Sequence, residues 1–156
     1  MINNARKRGE LKENMPIIEA TSGNTGISLS ALGTYYKHPV YIWKILGQHK
    51  IEGIGDDFVP ELLDRNKIDK IILINDDDAI NMSRKLSREL GLGVGISSGA
   101  NFLGSVLLTD DIKQNVITVF PDDNKKYLST ELSDEIDLNL KFISNKIELV
   151  SIDIAC

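Results

Sequence analysis

The sequence predicts an α/β fold with a mainly parallel sheet and flanking helices. Short apolar runs rich in β-branched residues alternate along the chain with stretches of helical periodicity. Two polar, glycine-containing turns, at 21–26 and 95–99, each follow an apolar segment and lead into a helical one. Alternation of this kind is typical of parallel strands joined by helices, and ligands bind such sheets at the carboxyl ends of the strands.

The first third of the chain contains two predicted helices and two predicted strands. Residues 1–12 have the pattern of a helix end that closes near Gly9. A short buried strand follows at 16–20, and apolar residues at helical spacing predict a helix over 25–37. Residues 39–43 are β-branched and aromatic, which favours a second strand.

The middle of the chain reads as a loop followed by a strand and a helix. Glycine and proline mark 44–60 as loop, and an apolar run predicts a strand over 68–74. Asn75 and the three aspartates after it are typical of an N-cap, so a helix is expected from there to Leu90. On this helix Lys85 is expected to face water.

The last third is predicted to contain one more strand between two helices. The polar turn at 95–99 leads into a helix over 100–108, and a strand follows at 115–120. A further helix is expected over 128–136. The tail at 138–155 alternates apolar and polar residues, a pattern that fits either strand or helix.

The composition is that of a globular domain and disfavours several classes of partner. The 156 residues are 42% hydrophobic and 26% charged, with a net charge of −5. Without a basic run, nucleic acid and anionic membranes are poor partners. No apolar stretch approaches the roughly 20 residues that span a bilayer, and the N-terminus lacks a signal-peptide core. The cytoplasm is therefore the expected location.

Cysteine and histidine are too sparse for a metal site or a thiol nucleophile. Cys156 is the single cysteine and lies at the C-terminus, where fraying disfavours catalysis. His38 and His49 have no further ligand at metal-binding spacing. No metal is expected.

The turn at 21–26, Thr-Ser-Gly-Asn-Thr-Gly, has the chemistry of a small-anion site. It leads into a helix, whose first turn carries unpaired N–H groups and the positive end of the dipole. Three hydroxyls and one amide surround those groups, which suits the carboxylate of an amino acid. In the alternative interpretation, Thr21 or Ser22 is an ordinary N-cap.

Several motifs, taken together and in order, resemble the cysteine synthase and cystathionine β-synthase family. These are pyridoxal phosphate enzymes with a tryptophan-synthase-like fold. The resemblance covers most of residues 1–130. The matching segments are 19–27, 51–60, 63–65, 68–70, 95–99, 120–122 and 126–130.

The chain also departs from the family pattern. It contains neither the family's Schiff-base lysine segment nor its glycine- and threonine-rich phosphate loop. Segments that a long stretch separates in the family are almost adjacent here. We therefore expect a large piece to be missing near 43–46, with 1–43 part of a smaller substrate-loop domain and 44–156 part of a larger cofactor domain.

The resemblance implies a set of roles around pyridoxal 5'-phosphate and a small amino-acid substrate. Asn24 would bind the 3-hydroxyl of the cofactor. Ser97 would bind its ring nitrogen, as a neutral hydroxyl that leaves this nitrogen unprotonated; in the alternative, Ser97 is a helix N-cap. The resemblance also implies a homodimer. The substrate-binding residues would be Thr21, Ser22, Thr25 and Gly55.

Asp56 and Asp57 are the distinctive candidates for catalysis. Cysteine synthases usually have small residues at these positions, whereas cystathionine β-synthases have a tyrosine followed by an aspartate. A carboxylate at the β-carbon could act as a general base on water and so convert cysteine to serine and sulfide. The alternatives are two solvated loop aspartates in an O-acetylserine-dependent cysteine synthase, or an inactive fragment that only binds.

Overall fold

The computed structural model describes residues 2–20, 24–43, 69–70 and 72–153. Four helices and three strands organise these residues. The helices are α1 (Ile2–Lys7), α2 (Asn24–Tyr36), α3 (Asp76–Leu90) and α4 (Ile96–Ile112). The strands are β1 (Ile17–Ala20), β2 (Val40–Trp43) and β3 (Ile117–Thr118).

The three strands form one parallel sheet in the order β2-β1-β3. Ile17 lies opposite Val40 on one side and Ile117 on the other, and both pairings are parallel. The predicted α/β class with a parallel sheet is therefore confirmed. The sheet combines β1 and β2, from residues 1–43, with β3, from residues 44–156. The division of the chain into two domains at this point stays a prediction.

Buried apolar side chains form two clusters that meet at β1. Ile17 packs with residues of α1, α2 and β2, while Ile18 packs with α3 and α4. Successive side chains of a strand point to opposite faces, so this short strand contributes to both clusters. The sheet is thus held by apolar burial on each side, as parallel sheets usually are.

Helices α3 and α4 pack closely, and the ends of α3 match the sequence prediction. The Asn75 side chain accepts a hydrogen bond from the Asp78 backbone N–H, and Gly91 ends the helix at φ +70°. Close approach of the two helices depends on Gly99, because a Cβ there would lie 2.2 Å from both the Ala79 carbonyl oxygen and Ser83 Oγ.

Side chains of α3 hold the C-terminal tail. The buried Asp78 carboxylate accepts hydrogen bonds from the backbone N–H groups of Ile143 (2.7 Å) and Ser144 (3.0 Å). Lys85 donates to the Ile147 carbonyl over 2.9 Å and is buried. The expectation that Lys85 faces water was wrong, because the tail covers this side of the helix.

Three other predicted elements differ from the structure. Helix α4 begins at Ile96, four residues earlier than expected. The helix predicted over 128–136 is wrong: this part of the chain contains a 3-10 segment at Glu131–Ser133, next to another at Asn124–Tyr127. Of the predicted strand at 68–74, the described residues form only a bridge between Lys70 and Tyr41.

In the described part of the tail, the pattern at 138–155 forms neither strand nor α-helix. A 3-10 segment at Ser144–Lys146 is its regular element. Residues 44–60, predicted as loop, lie outside the described residues.

Candidate functional site

The best-defined polar cluster lies where the N-terminus of α4 meets the segment after β3. Residues 93–95 run antiparallel to residues 122–124. The Gly95 N–H donates to the Asp122 carbonyl over 3.1 Å, and the Asn124 N–H donates to the Gly93 carbonyl over 3.0 Å. These two bonds hold the Asp122 backbone beside the first turn of α4.

Two adjacent hydroxyls bind the same carboxylate oxygen. Ser97 Oγ and Ser98 Oγ each donate to Asp122 Oδ1 over 2.8 Å, and Ser98 Oγ also lies 3.3 Å from the Asp122 carbonyl oxygen. Ser98 is fully buried and Ser97 nearly so. Since a hydroxyl has one proton, the Ser97 oxygen keeps its lone pairs for any further partner.

The Asp122 carboxylate lies close to the N-terminus of α4. A Cβ at Gly95 would lie 2.1 Å from Asp122 Oδ2, so only glycine allows this approach. A carboxylate at a helix N-terminus is stabilised by the dipole and by unpaired N–H groups. The N-cap residue is Gly95 and makes no side-chain cap bond. Ser97 therefore binds Asp122 rather than capping the helix.

A second carboxyl group is buried next to this cluster. Glu19 of β1 is 1% exposed. Burial, as the largest cause, raises the pKa of Glu19 to about 7; a hydrogen bond from the Asn101 side chain opposes that shift, and the charge of Asp122 adds to it. The Asn101 amide also donates to the Val119 carbonyl over 2.8 Å. Glu19, Asn101 and Asp122 thus meet at the carboxyl ends of β1 and β3.

Sequence analysis placed one of these residues in a site and missed the others. Ser97 was predicted to bind the cofactor ring nitrogen; in the structure it binds Asp122, and the predicted role stays a prediction. Asp122 lies in a segment that matches the family and Asn101 in a predicted helix, but neither carried a predicted role, and Glu19 was predicted only as part of a strand. An acidic residue directly after a strand, as at Asp122, is the signal that could have drawn attention to this edge of the sheet.

Two other predicted site residues, Asn24 and Thr25, lie in α2. Helix α2 begins at Asn24, so Asn24 and Thr25 lie in its first turn, as the resemblance implied for a helix N-terminus. Their roles stay predictions. The remaining predicted site residues lie outside the described part of the chain: Thr21, Ser22, Gly55, Asp56 and Asp57.

The described residues contain neither a metal-binding cluster nor a membrane-spanning helix. No group of three or more His, Cys, Asp or Glu side chains in this part of the chain is arranged to hold a metal ion. His38 is buried, with its Nδ1 3.1 Å from the Met15 carbonyl oxygen. Among the same residues, no helix combines the length and apolarity that crossing a membrane requires.

The described residues form an α/β fold with a polar cluster at the carboxyl edge of its parallel sheet. Several known proteins resemble the chain. Cysteine synthase B of Campylobacter jejuni is 44% identical over 87 residues, which are 55% of this chain and 29% of that protein. The chain thus spans less than a third of the length of this curated relative. No family model matches the chain.

Two solved structures add to this comparison. The hydrogen sulfide-producing enzyme of Fusobacterium nucleatum superposes with a TM-score of 0.57 at 27% identity, covering 92% of this chain and 80% of that one. The O-acetylserine-dependent cystathionine β-synthase of Helicobacter pylori has a TM-score of 0.65 at 29% identity, covering 80% of this chain and 45% of that one. The resemblance to the cysteine synthase and cystathionine β-synthase family, predicted from sequence motifs, is confirmed.

Proposed function

We propose that the protein is a pyridoxal phosphate enzyme of sulfur amino-acid metabolism that converts cysteine and water to serine and hydrogen sulfide. The observation that carries this proposal is the Ser97 hydroxyl, held by Asp122 at the start of α4 in the segment that resembles the ring-nitrogen loop. The similarity to a hydrogen sulfide-producing enzyme over 92% of the chain supports the direction of the reaction.

The residues at the α4 N-terminus fit the ring of pyridoxal phosphate. Ser97 provides a single neutral hydroxyl, and an unprotonated ring nitrogen would accept its proton in place of Asp122 Oδ1. The Asp122 carboxylate lies against Gly95 at this end of α4, and its negative charge disfavours a phosphate at the same place. When bound, the cofactor supplies an electron sink at the α-carbon of the substrate.

The N-terminus of α2 is the proposed binding place for the substrate carboxylate. The helix begins at Asn24, within the polar segment 21–26, so its unpaired N–H groups and dipole favour an anion there. Thr21, Ser22 and Thr25 would hold the carboxylate through their hydroxyls, and Gly55 would allow close approach. Asn24 would hold the 3-hydroxyl of the cofactor.

Asp56 is the proposed general base, with Asp57 as the second choice. In the overall reaction the C–S bond of cysteine breaks, a C–O bond to water forms, and sulfide leaves as hydrogen sulfide. A carboxylate near the β-carbon can take the proton of the attacking water. Asp56 is assigned this role because it is an ionisable group at a position where the family has small residues or tyrosine.

Synthesis of cysteine from O-acetylserine and sulfide is the second candidate reaction. The names of the similar proteins favour it, since cysteine synthase B matches at 44% identity. In that case Asp56 and Asp57 are solvated loop residues. An inactive fragment that only binds an amino acid or a partner is the third interpretation, because the given residues contain no match to the Schiff-base lysine segment.

The deciding experiment combines cofactor binding with product analysis. The purified protein is mixed with pyridoxal phosphate, its visible absorption is recorded, and serine and sulfide are then followed separately with cysteine as substrate. Borohydride reduction and peptide mapping locate the cofactor lysine, which we expect outside the given residues. Cysteine formation from O-acetylserine without serine release from cysteine would favour the second reaction, and a colourless protein would exclude both.

A further inference from the structure

The end of α1, the loop after it and the end of α2 border a second polar feature, which we call the α1–α2 cleft. Its volume is about 990 Å³, and none of the described residues with a role in the proposed reaction lines it. Four cationic side chains line the cleft against one acidic side chain, Glu13: Arg6, Lys7, Lys12 and Lys37. The formal charges of these five side chains give +3, in a chain whose net charge is −5. Charge of one sign concentrated in a cleft attracts ligands of the opposite sign.

The lysines of the cleft are not neutralised by carboxylates of the described structure. The neighbouring Arg8 pairs with Glu10 over 2.8 Å and does not line the cleft. In the described part of the chain, by contrast, Lys7, Lys12 and Lys37 are exposed and form no ion pair. A cation in the last turn of a helix offsets the dipole, which accounts for Lys7 in α1 but not for Lys12, which lies outside both helices. The ammonium groups are therefore available to an external anion.

Aromatic rings and a guanidinium form one wall of the cleft. The Arg6 guanidinium carbon lies 4.2 Å from the centroid of the Tyr36 ring, and the Tyr36 hydroxyl donates to Asn3 Oδ1 over 2.5 Å. Tyr35 meets Tyr36 edge to face, with ring centroids 4.8 Å apart, and is 77% exposed. A guanidinium held in this way is suited to phosphate oxygens, and an exposed tyrosine ring is a platform on which a flat ring can stack.

We propose that the α1–α2 cleft binds a nucleoside polyphosphate, as a site separate from that of the proposed reaction. Arg6 and the three lysines hold the phosphates, and Tyr35 stacks against the base. The volume is that of a small-molecule site, and the local excess of positive charge suits a ligand with several phosphate charges. An acidic peptide would meet the same cations, but it leaves the exposed Tyr35 ring without a stacking partner.

The first test measures ATP binding by isothermal titration calorimetry. Pyridoxal phosphate is left out, because its phosphate and ring share the chemistry of the proposed ligand. We expect saturable binding that weakens as ionic strength rises. The double variant Lys7→Gln, Lys37→Gln should lower the affinity at least about tenfold, because two charged contacts to phosphate are lost.

A matched control removes the same charge elsewhere. Lys141 and Lys146 lie in the tail, are exposed and form no ion pair within the described part of the chain. The double variant Lys141→Gln, Lys146→Gln should therefore bind ATP like the parent protein. If the two double variants weaken ATP binding equally, the effect is one of net charge, and the proposal of a site at the α1–α2 cleft is overturned.

The contribution of the base is tested at Tyr35. Tyr35→Ala should weaken ATP binding about fivefold or more but leave tripolyphosphate binding unchanged, since stacking is lost and the phosphate contacts remain. Tyr35→Phe keeps the ring and should keep the affinity. The proposal is wrong if ATP does not bind, if tripolyphosphate binds the parent protein as tightly as ATP, or if a hexaglutamate peptide binds the cleft more tightly than ATP.

Discussion

Ser97 donates its hydroxyl proton to Asp122 Oδ1 over 2.8 Å, although the two residues lie 25 positions apart in the chain. The contact joins the start of α4 to the segment after β3. It sets the present direction of the hydroxyl, which can rotate to another acceptor that binds beside it. Because Ser98 donates to the same oxygen, Asp122 keeps one hydroxyl donor when Ser97 is altered.

Ser97→Ala should leave the fold intact and slow sulfide release from cysteine. The lost contact is a hydrogen bond between neutral groups worth about 0.5–1.5 kcal/mol, which corresponds to roughly 2- to 12-fold in turnover. Steady-state sulfide release and circular dichroism measure the two effects. Ser133→Ala is the control, and equal turnover of the two variants would contradict a contact between Ser97 and the cofactor.

Asp56→Asn should lower serine release from cysteine by ~100-fold or more, since the amide keeps the size of the carboxylate but cannot act as a base. Substrate binding should weaken less, because the turn at 21–26 is unchanged. Serine and sulfide are assayed separately. If Asp57→Asn has the larger effect, the base is Asp57; if neither variant differs from the parent, general-base action at this segment is excluded.

The free energy of unfolding should fall as the pH rises from about 4.5 to about 7. In this range Glu19 keeps its proton in the folded protein but has lost it in the unfolded chain. Glu19 loses its proton near 4.5 when unfolded and near 7 when folded. Its stabilising contribution is therefore complete below 4.5 and is lost towards 7, at up to about 1.4 kcal/mol per pH unit. Urea unfolding at several pH values should show this slope in the parent protein but a flatter one in Glu19→Gln. Parallel curves would contradict the prediction.

Gly99→Ala should destabilise the protein by about 1–3 kcal/mol, the usual range for overpacking a core. The new Cβ would collide with the Ala79 carbonyl and Ser83 between α3 and α4. Gly93→Ala is a suitable control, because its Cβ would meet only the Asn124 side chain at 3.1 Å or more. The denaturant midpoints of the two variants and the parent are compared. A Gly99→Ala midpoint equal to that of the parent would exclude close packing of α3 against α4 at Gly99.

Asp78→Ala should loosen the tail on α3 and cost about 3 kcal/mol, because two backbone N–H groups lose a buried acceptor while Lys85 still binds Ile147. The groups affected are those of Ile143 and Ser144. Faster amide hydrogen exchange at these two positions would report the loss directly. Asp110→Ala, at an exposed site on α4, should change stability by less than about 0.5 kcal/mol. Unchanged exchange in Asp78→Ala would contradict the proposed tail contact.

Patterns within short windows were enough to predict the class of fold and several elements. The β-branched runs at 16–20 and 39–43 became parallel strands, and the Asn75 cap and Gly91 end of α3 were correct. These features depend on local chemistry: side-chain caps, φ > 0 at glycine, and apolar periodicity. Ser97 was singled out in the same way, because its motif is contiguous, and its role toward the cofactor stays a prediction.

The partners of these residues depend on segments that are distant in the chain, and short windows do not contain that information. Lys85 is buried because the tail packs on α3. Asp122 contacts Ser97 in the first turn of α4 because the segment after β3 passes beside it. Glu19 lies in an ordinary strand pattern, yet burial beside Asp122 makes it a proton-binding group. Local patterns of apolar and capping residues determined the helices and strands. Long-range packing determined the solvation and charge of each polar group, and these quantities determine the chemistry of the site.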